Sequence, residues 1–373
     1  MASGWFGCRN LRRNEEMKLQ SRLFWTVLAV FAVFAAGCAS KSGQGGANET
    51  VSLVGAGSTF INPIMTRWTA NYQQGHPNVQ INYQSIGSGA GIQQVKAGTV
   101  DFGASDVPLN DEKLKTMPPV IQVPESAGPV CITYNLPELK EPLKLTGATL
   151  SGIYLGAVKN WHDPAIVKAN PGVKLPDTAI AVVHRSDGSG TTGIFTTYLA
   201  AVNPEWAKKV GASISVNWPV GLGGKGSEGV TGVVKQTPGA IGYVELSYAT
   251  QNHLPVALVE NKTGKFVAPS AAGATAAIAA FQTELGQDVR QSIVDPPASA
   301  ADAYPISGLT FLIIPKDGAD RAKRQQLKDF VKYILTDGQQ LSQGLDYSPL
   351  PSSLSSLDQN LLSQMTAAGA PLK

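Results

Sequence analysis

The segment Ala181–Thr191, with the sequence AVVHRSDGSGT, and the residues on either side of it carry the clearest sign of the fold. The run Ile180–His184 predicts a strand, because β-branched residues suit a pleated, half-buried surface. Asp187–Gly190 predicts a tight turn. Beyond the turn, apolar residues at helical spacing predict a helix: Ile194, Phe195, Tyr198 and Leu199. This order of strand, glycine-rich turn and helix indicates α/β architecture.

The same order occurs twice more, nearer the start of the chain. The strands predicted at Val51–Val54 and Val79–Tyr83 each lead into small residues and then into a helical pattern. Two extended apolar stretches, Pro129–Tyr134 and Thr310–Ile314, are expected to cross between two lobes. The chain would then begin and end in lobe I (50–128 plus 305–373) and build lobe II (129–304) in between.

Composition excludes several classes of protein. The chain has 373 residues, of which 43% are hydrophobic, so it is not disordered as a whole. Its net charge of +3 comes from residues 1–38, and residues 39–373 carry 25 basic and 25 acidic side chains. A neutral body does not favour nucleic acid as a partner. The 3 cysteines form no disulfide framework, and Cys131, in an apolar run, is expected to be a buried structural residue.

Residues 1–38 have the pattern of an export leader. The 14-residue apolar run Leu23–Ala36 is too short for a spanning helix, which needs about 20 residues, and it fits the core of a signal peptide. Small residues before Cys38 predict lipidation of that cysteine, the alternative being ordinary cleavage nearby. Met17 is a better start for such a leader than Met1. Residues 39–49 are expected to form a flexible tether, which places the folded part in the cell envelope.

Three turns of similar design follow predicted strands. Each would leave the first backbone N–H groups of a helix unpaired and adds hydroxyls at the same end, which suits an oxyanion. Serine and threonine are also the commonest helix caps, so each turn alone has a purely structural alternative. The three turns are GAGSTF at Gly55–Phe60, GSGAG at Gly87–Gly91 and DGSGTT at Asp187–Thr192.

Charged residues near these turns refine the prediction. Arg185 could donate two hydrogen bonds to an oxyanion, with Asp187 holding it in place, although the pair could equally be a plain salt bridge. Asp106 follows a strand predicted at Thr99–Ala104, and its carboxylate would repel a dianion unless that anion carries a proton. Phosphate carries one near neutral pH and sulfate does not. The alternative is that Asp106 caps a short helix at Leu109–Leu114.

Signatures of enzymes and metal sites are missing from the sequence. The glycine pattern Gly221–Gly226 resembles a dinucleotide loop, but no buried parallel strand is expected to lead into it, and we interpret it as a chance match. There is no P-loop and no nucleophile elbow. Four scattered histidines lack metal-ligand spacing: His76, His162, His184 and His253. We therefore expect no catalytic residue, no metal and no cofactor.

At these motifs the sequence closely resembles the periplasmic phosphate-binding protein family of the phosphate-specific ABC transporter. The resemblance covers residues 50–355, and further landmarks are YQSIGSGAG at Tyr83–Gly91, VDFGASD at Val100–Asp106, WPVGLGGKG at Trp218–Gly226 and PGAIGYVE at Pro238–Glu245. It implies a phosphate shell with Asp106 as acceptor, Asp187 orienting Arg185, and the donors Thr59, Phe60 through its backbone N–H, Ser88, Arg185, Ser189, Gly190 and Thr191. Ser58 stands where alanine is common in the family.

The resemblance also implies fold, partners and activity. It implies a type II periplasmic-binding-protein fold, with two α/β lobes, two hinge crossings and a ligand cleft between the lobes. The expected function is a solute-binding subunit that captures inorganic phosphate for a membrane permease; we expect a monomer, tethered to the membrane through Cys38. The alternatives are another oxyanion, such as sulfate or molybdate, a phosphorylated organic ligand, a phosphate sensor or surface adhesin, and, in a different class, a secreted phosphatase.

Overall fold

The structure is a computed structural model that describes residues 50–373. The leader (1–38), the tether (39–49), Met17 and Cys38 lie outside the described residues, and their predictions stay predictions. Within residues 50–373, strands and helices alternate along much of the chain, so the α/β class expected from the sequence is confirmed.

The strands of the described part range from two to fifteen residues in length. They are β1 (Val51–Gly57), β2 (Val79–Ser85), β3 (Phe102–Ser105), β4 (Val120–Tyr134), β5 (Lys144–Leu145), β6 (Ala181–Arg185), β7 (Leu222–Gly224), β8 (Ala240–Glu245), β9 (Leu258–Glu260), β10 (Phe266–Val267), β11 (Ser307–Pro315), β12 (Thr366–Ala367) and β13 (Ala370–Pro371).

The helices connect these strands and cover the sheet. They are α1 (Asn62–Gly75), α2 (Ser88–Ala97), α3 (Asp111–Leu114), α4 (Gly147–Tyr154), α5 (Pro164–Ala169), α6 (Gly190–Val202), α7 (Pro204–Lys209), α8 (Gly226–Gln236), α9 (Leu246–Gln251), α10 (Ala271–Ala280), α11 (Gln282–Gln287), α12 (Arg321–Leu335) and α13 (Ser352–Leu362), with two short 3₁₀ turns at Asp337–Leu341 and Gln343–Leu345.

Eight strands form one mixed sheet in the order β2-β1-β3-β11-β4-β8-β6-β7. On one side of the sheet β1 runs parallel to β2 and β3, and on the other β6 runs parallel to β7 and β8. Between them β11 and β4 run antiparallel to their neighbours. The turns that follow β1, β2, β3 and β6 leave the carboxyl ends of parallel strands, which is where ligands bind in open α/β sheets.

The long strand β4 joins the two halves of this sheet. Residues 120–129 of β4 pair with β11, and residues 130–134 pair with β8. The stretch expected to cross at Pro129–Tyr134 therefore lies where the pairing partner changes, and the second expected crossing lies within β11. A register shift between Thr310 and Phe311 marks a bulge opposite Glu125. The predicted boundaries of lobes I and II stay a prediction.

Buried aromatic residues fill the core on both sides of the sheet. Trp68, Phe102 and Phe330 are inaccessible to solvent in one half, as are Phe195 and Tyr243 in the other. The apolar stripe predicted near the chain end is confirmed, since the inward residues of α12 are buried: Leu327, Phe330, Val331, Ile334 and Leu335. Cys131 is buried and unpaired, as expected.

Candidate functional site

The first turn, Gly55–Phe60, follows β1 and does not cap a helix with its hydroxyls. Helix α1 begins at Asn62, and its N-cap Ile61 has no side-chain hydrogen bond. The Thr59 hydroxyl oxygen instead lies 2.8 Å from the Ser227 hydroxyl oxygen and accepts the Ser227 backbone N–H at 3.2 Å. The structural alternative for this turn, helix capping, is therefore wrong.

Three tyrosines from separate elements hold this turn in place. Tyr83 donates its hydroxyl to the Ser58 carbonyl at 2.8 Å, and Tyr248 donates to the next carbonyl, that of Thr59, at 2.6 Å. The third, Tyr347, donates to the carbonyl of Phe60 at 2.5 Å. A peptide whose carbonyl accepts a hydrogen bond is a better donor through its N–H. The bond to Thr59 therefore strengthens the Phe60 N–H as a donor.

The second and third turns face each other across the site. Gly87 adopts φ +91°, a left-handed conformation that favours glycine, just before α2 begins at Ser88. The Ser88 hydroxyl oxygen accepts the Gly190 N–H at 3.0 Å, and Gly89 donates its N–H to the Gly188 carbonyl at 2.9 Å. The cleft between the turns is therefore narrow in this structure.

The third turn combines capping with a close approach. The Ser189 hydroxyl accepts the Thr192 N–H at 3.1 Å, so here the capping role is confirmed. A Cβ on Gly190 would lie 2.6 Å from atoms of Asp106, so only glycine lets this backbone approach the carboxylate. Capping uses a lone pair of Ser189, which leaves its hydroxyl proton for another acceptor.

Arg185 and Asp187 form a buried bidentate pair. The Arg185 Nε–Oδ1 distance is 2.8 Å and the Nη2–Oδ2 distance is 2.5 Å, and the Arg185 side chain is 2% exposed. Tyr243 anchors the strand end by accepting the Arg185 backbone N–H at 3.1 Å. Burial alone would raise the pKa of Asp187, but the hydrogen bonds and charge of Arg185 hold that pKa below its usual value. Asp187 also accepts the Gly226 N–H at 3.0 Å. This bond holds the Asp187 carboxylate, and through it the orientation of the Arg185 guanidinium.

Asp106 lies at the centre of these turns. Its Oδ1 accepts the Ser58 hydroxyl, and its Oδ2 accepts the Thr191 hydroxyl at 3.3 Å. Burial raises its pKa from 3.8 to about 6, and the Ser58 bond, the charge of Arg185 and Thr191 limit that rise. The expectation that Asp106 might cap the next helix is wrong, because Asn110 caps α3 by accepting the Lys113 N–H.

Sequence reasoning missed a fourth helix start at this site. The short strand β7 runs parallel to β6 and leads into α8, which begins at Gly226 with no side-chain cap. The prediction that no buried strand leads into Gly221–Gly226 is not contradicted, because β7 lies within that stretch and its Leu222 is 55% exposed. The sequence does contain the pattern of the other three turns here, since β7 is followed by Gly226 and Ser227.

A buried carboxyl at the edge of the site was also missed. Glu125 lies in the bulged part of β4, it is inaccessible to solvent, and neither of its oxygens has a hydrogen-bond partner. Burial first, and then the nearby charge of Asp106, raise its pKa well above the usual value. The pKa of Tyr83 is raised mainly by burial and, to a smaller extent, by the nearby carboxylates of Glu125 and Asp106. The carboxyl of Glu125 therefore favours its protonated form more strongly than an exposed glutamate does.

The assembled site is suited to a small oxyanion. The structure brings together all the predicted donors and Asp106 at the ends of parallel strands; the predicted residues that meet here are Thr59, Phe60, Ser88, Asp106, Arg185, Asp187, Ser189, Gly190 and Thr191. Helix starts and one guanidinium favour negative charge, Asp187 is occupied by Arg185 and the Gly226 N–H, and the Asp106 carboxylate is an acceptor among the donors. Among residues 50–373 no cluster of His, Cys, Asp or Glu could hold a metal ion. No helix in that range is long and apolar enough to cross a bilayer.

Several known proteins are similar to this chain in sequence. A family model described as a PBP superfamily domain matches residues 42–338. The phosphate-binding protein PstS of Xylella fastidiosa (strain Temecula1) is 45% identical over 308 residues, covering 82% of this chain and 83% of that protein. The PstS of Methanocaldococcus jannaschii is 38% identical over 378 residues, covering 93% and 96%.

A solved structure confirms the fold expected from the sequence. It is a high affinity periplasmic phosphate-binding protein (PfluDING) bound with phosphate, with a TM-score of 0.66 and 22% identity, and the match covers 83% of this chain and 93% of that one. The two-lobed periplasmic-binding-protein architecture predicted above is therefore the architecture of this chain.

Proposed function

This chain belongs to the PBP superfamily and, within it, to the phosphate-binding proteins named PstS, and from that membership and its cleft we propose that it is the solute-binding subunit of an ABC importer that captures inorganic phosphate. The observation that carries the proposal is the place of Asp106: one buried carboxylate among converging donors. Such a site favours an oxyanion that brings its own proton.

We propose that the ligand is held by the donors named above. Arg185 would donate charge-assisted bonds from an orientation fixed by Asp187, and the backbone N–H groups of Phe60 and Gly190 would donate from two facing turns. Asp106 would accept the ligand's proton. Replacement of the ligand's water shell by fixed donors, with lobe I (50–128 plus 305–373) closing on lobe II (129–304), accounts for binding without a basic surface.

The protein's partners and location are part of this proposal. A binding subunit of an importer delivers its ligand to a membrane permease, and we propose that this chain acts as a monomer in the periplasm or cell envelope, tethered through a lipid on Cys38. We propose no catalytic role, because phosphate ester hydrolysis would need a nucleophile or a metal, and residues 50–373 bring together no metal cluster.

Calorimetric titration of residues 39–373, stripped of ligand, tests the proposal. Phosphate should bind at one site per chain and release heat in the presence of a large excess of sulfate. Equal binding of sulfate or molybdate would support the alternative oxyanions. Incubation with p-nitrophenyl phosphate is the control for an enzyme, and turnover there would contradict a pure binding role. Absence of binding by folded protein would overturn the proposal.

A further inference from the structure

The Ser58 hydroxyl already forms the hydrogen bonds that a protonated oxyanion would seek. Ser58 is 1% exposed and lies at the tip of the first turn. Its hydroxyl donates to Oδ1 of Asp106, and its oxygen accepts the Phe60 N–H at 3.0 Å. A hydroxyl has one proton and two lone pairs. One donated proton and one accepted N–H are also what a P–OH group would offer at the same place.

We propose that Ser58 is a built-in competitor for the ligand, which sets the phosphate affinity by occupying Asp106 and the Phe60 N–H until phosphate displaces it. The inference rests on the proposed function. Ser58, Phe60 and Asp106 lie on β1, its following turn and the end of β3, which are adjacent strands. The competing contact therefore does not depend on closure of the cleft.

Displacement is sterically simple. Rotation of Ser58 about χ1 moves the hydroxyl to another staggered position without moving the backbone. The backbone carbonyl of Ser58 stays fixed by Tyr83 at 2.8 Å. Phosphate would then exchange two existing hydrogen bonds for two of its own, so these contacts add less to binding than they would in a turn that carried alanine.

The proposal predicts the sign of one substitution. Ser58→Ala leaves the Phe60 N–H free and removes one donor from Asp106, so phosphate no longer displaces anything there. A hydrogen bond to a charged group contributes roughly 1.5–3 kcal/mol and each 1.4 kcal/mol is tenfold, so we expect the phosphate Kd of Ser58→Ala to fall by about tenfold. Sulfate has no proton for the vacated carboxylate, so its Kd should fall less.

Titration of the full mature chain with phosphate at pH 8 tests this, with Ser151→Ala as the matched control. The Ser151 hydroxyl is equally buried and bonds only the Gly147 carbonyl within α4, so its removal should leave the phosphate Kd unchanged. If Ser58 merely braces the turn, Ser58→Ala should bind phosphate as before or more weakly, and either result would overturn the proposal. Wild-type binding, measured in the same series, tests the proposed function separately.

The unaltered protein provides a second measurement in case Ser58→Ala does not fold. Crystal structures of the wild type without and with phosphate should show the Ser58 hydroxyl on Asp106 in the first and rotated away in the second. A hydroxyl that stays on Asp106 beside a bound phosphate would contradict displacement, whatever the variant does.

Discussion

Asp106→Asn removes the charge at the centre of the site while keeping the size of the side chain. The amide oxygen can still accept the Ser58 or Thr191 hydroxyl, so the turns should stay in place. The phosphate proton, however, loses a charged acceptor. A charge-assisted bond contributes roughly 1.5–3 kcal/mol, which corresponds to an affinity loss of roughly 10- to 150-fold.

Sulfate should respond in the opposite direction. A carboxylate and an anion about 4 Å apart repel by about 4 kcal/mol at an effective dielectric constant of 20, and Asp106→Asn abolishes that repulsion. The amide N–H₂ group adds a donor that sulfate can use. Phosphate is an anion as well and is relieved of the same repulsion, so that contribution cancels in the ratio of the two affinities. The lost proton acceptor and the new amide donor remain, and we therefore expect the ratio of sulfate Kd to phosphate Kd to fall by roughly 10- to 150-fold.

The dependence of phosphate affinity on pH tests the role of Asp106 independently. Since the pKa of Asp106 is about 6, the wild-type carboxyl is an ionised acceptor above pH 6 and a protonated donor below it. Phosphate affinity of the wild type should decline as pH falls through 6, and Asp106→Asn should lack that decline.

The assay is calorimetric titration with phosphate and with sulfate between pH 5 and 8. Asp320→Asn is the matched control, because Asp320 only caps α12 and asparagine caps equally well. A sulfate-to-phosphate ratio in Asp106→Asn equal to that of the wild type would refute the role given to Asp106.

Three further predictions use other parts of the site. Arg185→Lys should weaken phosphate binding by at least about tenfold, since lysine cannot donate a fixed fork, whereas Arg321→Lys, at an exposed arginine that bonds the Pro371 carbonyl, should not change the titration. Tyr248→Phe should weaken phosphate binding several-fold, because it removes the hydroxyl that holds the Thr59 carbonyl in the first turn. Burial raises the pKa of Glu125 well above its usual value in the folded protein, so its contribution to stability is full below about pH 4.5 and is lost as pH rises towards its folded pKa. Glu125→Gln removes that titration, so its unfolding free energy relative to wild type should rise with pH by up to about 1.4 kcal/mol per unit. A difference between the two proteins that stays constant with pH would contradict a buried acid.

Local patterns in the sequence predicted the elements well because each is specified by nearby residues. The strand expected at Val51–Val54 is the first part of β1, and the strand at Ile180–His184 differs from β6 by one residue at each end. The apolar stripe of α12 likewise follows from its spacing alone. The run of apolar residues at Pro129–Tyr134 suits a strand buried on both faces, and it forms the end of β4.

Contacts between distant residues could not be predicted in the same way. Nothing local in the sequence shows that the Ser58 hydroxyl reaches Asp106, 48 residues away. The contact of Thr59 with Ser227 spans 168 residues. Glu125 gave no signal either, since its burial depends on a bulge between β4 and β11. Such contacts depend on which turns the fold brings together.

The most direct measurement of the central claim is a crystal structure of residues 39–373 grown in excess phosphate with sulfate present. The account predicts one phosphate ion within hydrogen-bond distance of the Arg185 guanidinium, the Gly190 N–H and Asp106, with no sulfate at that position. Sulfate at that position would contradict the account. So would a phosphate ion bound elsewhere, with no ligand in contact with the Arg185 guanidinium.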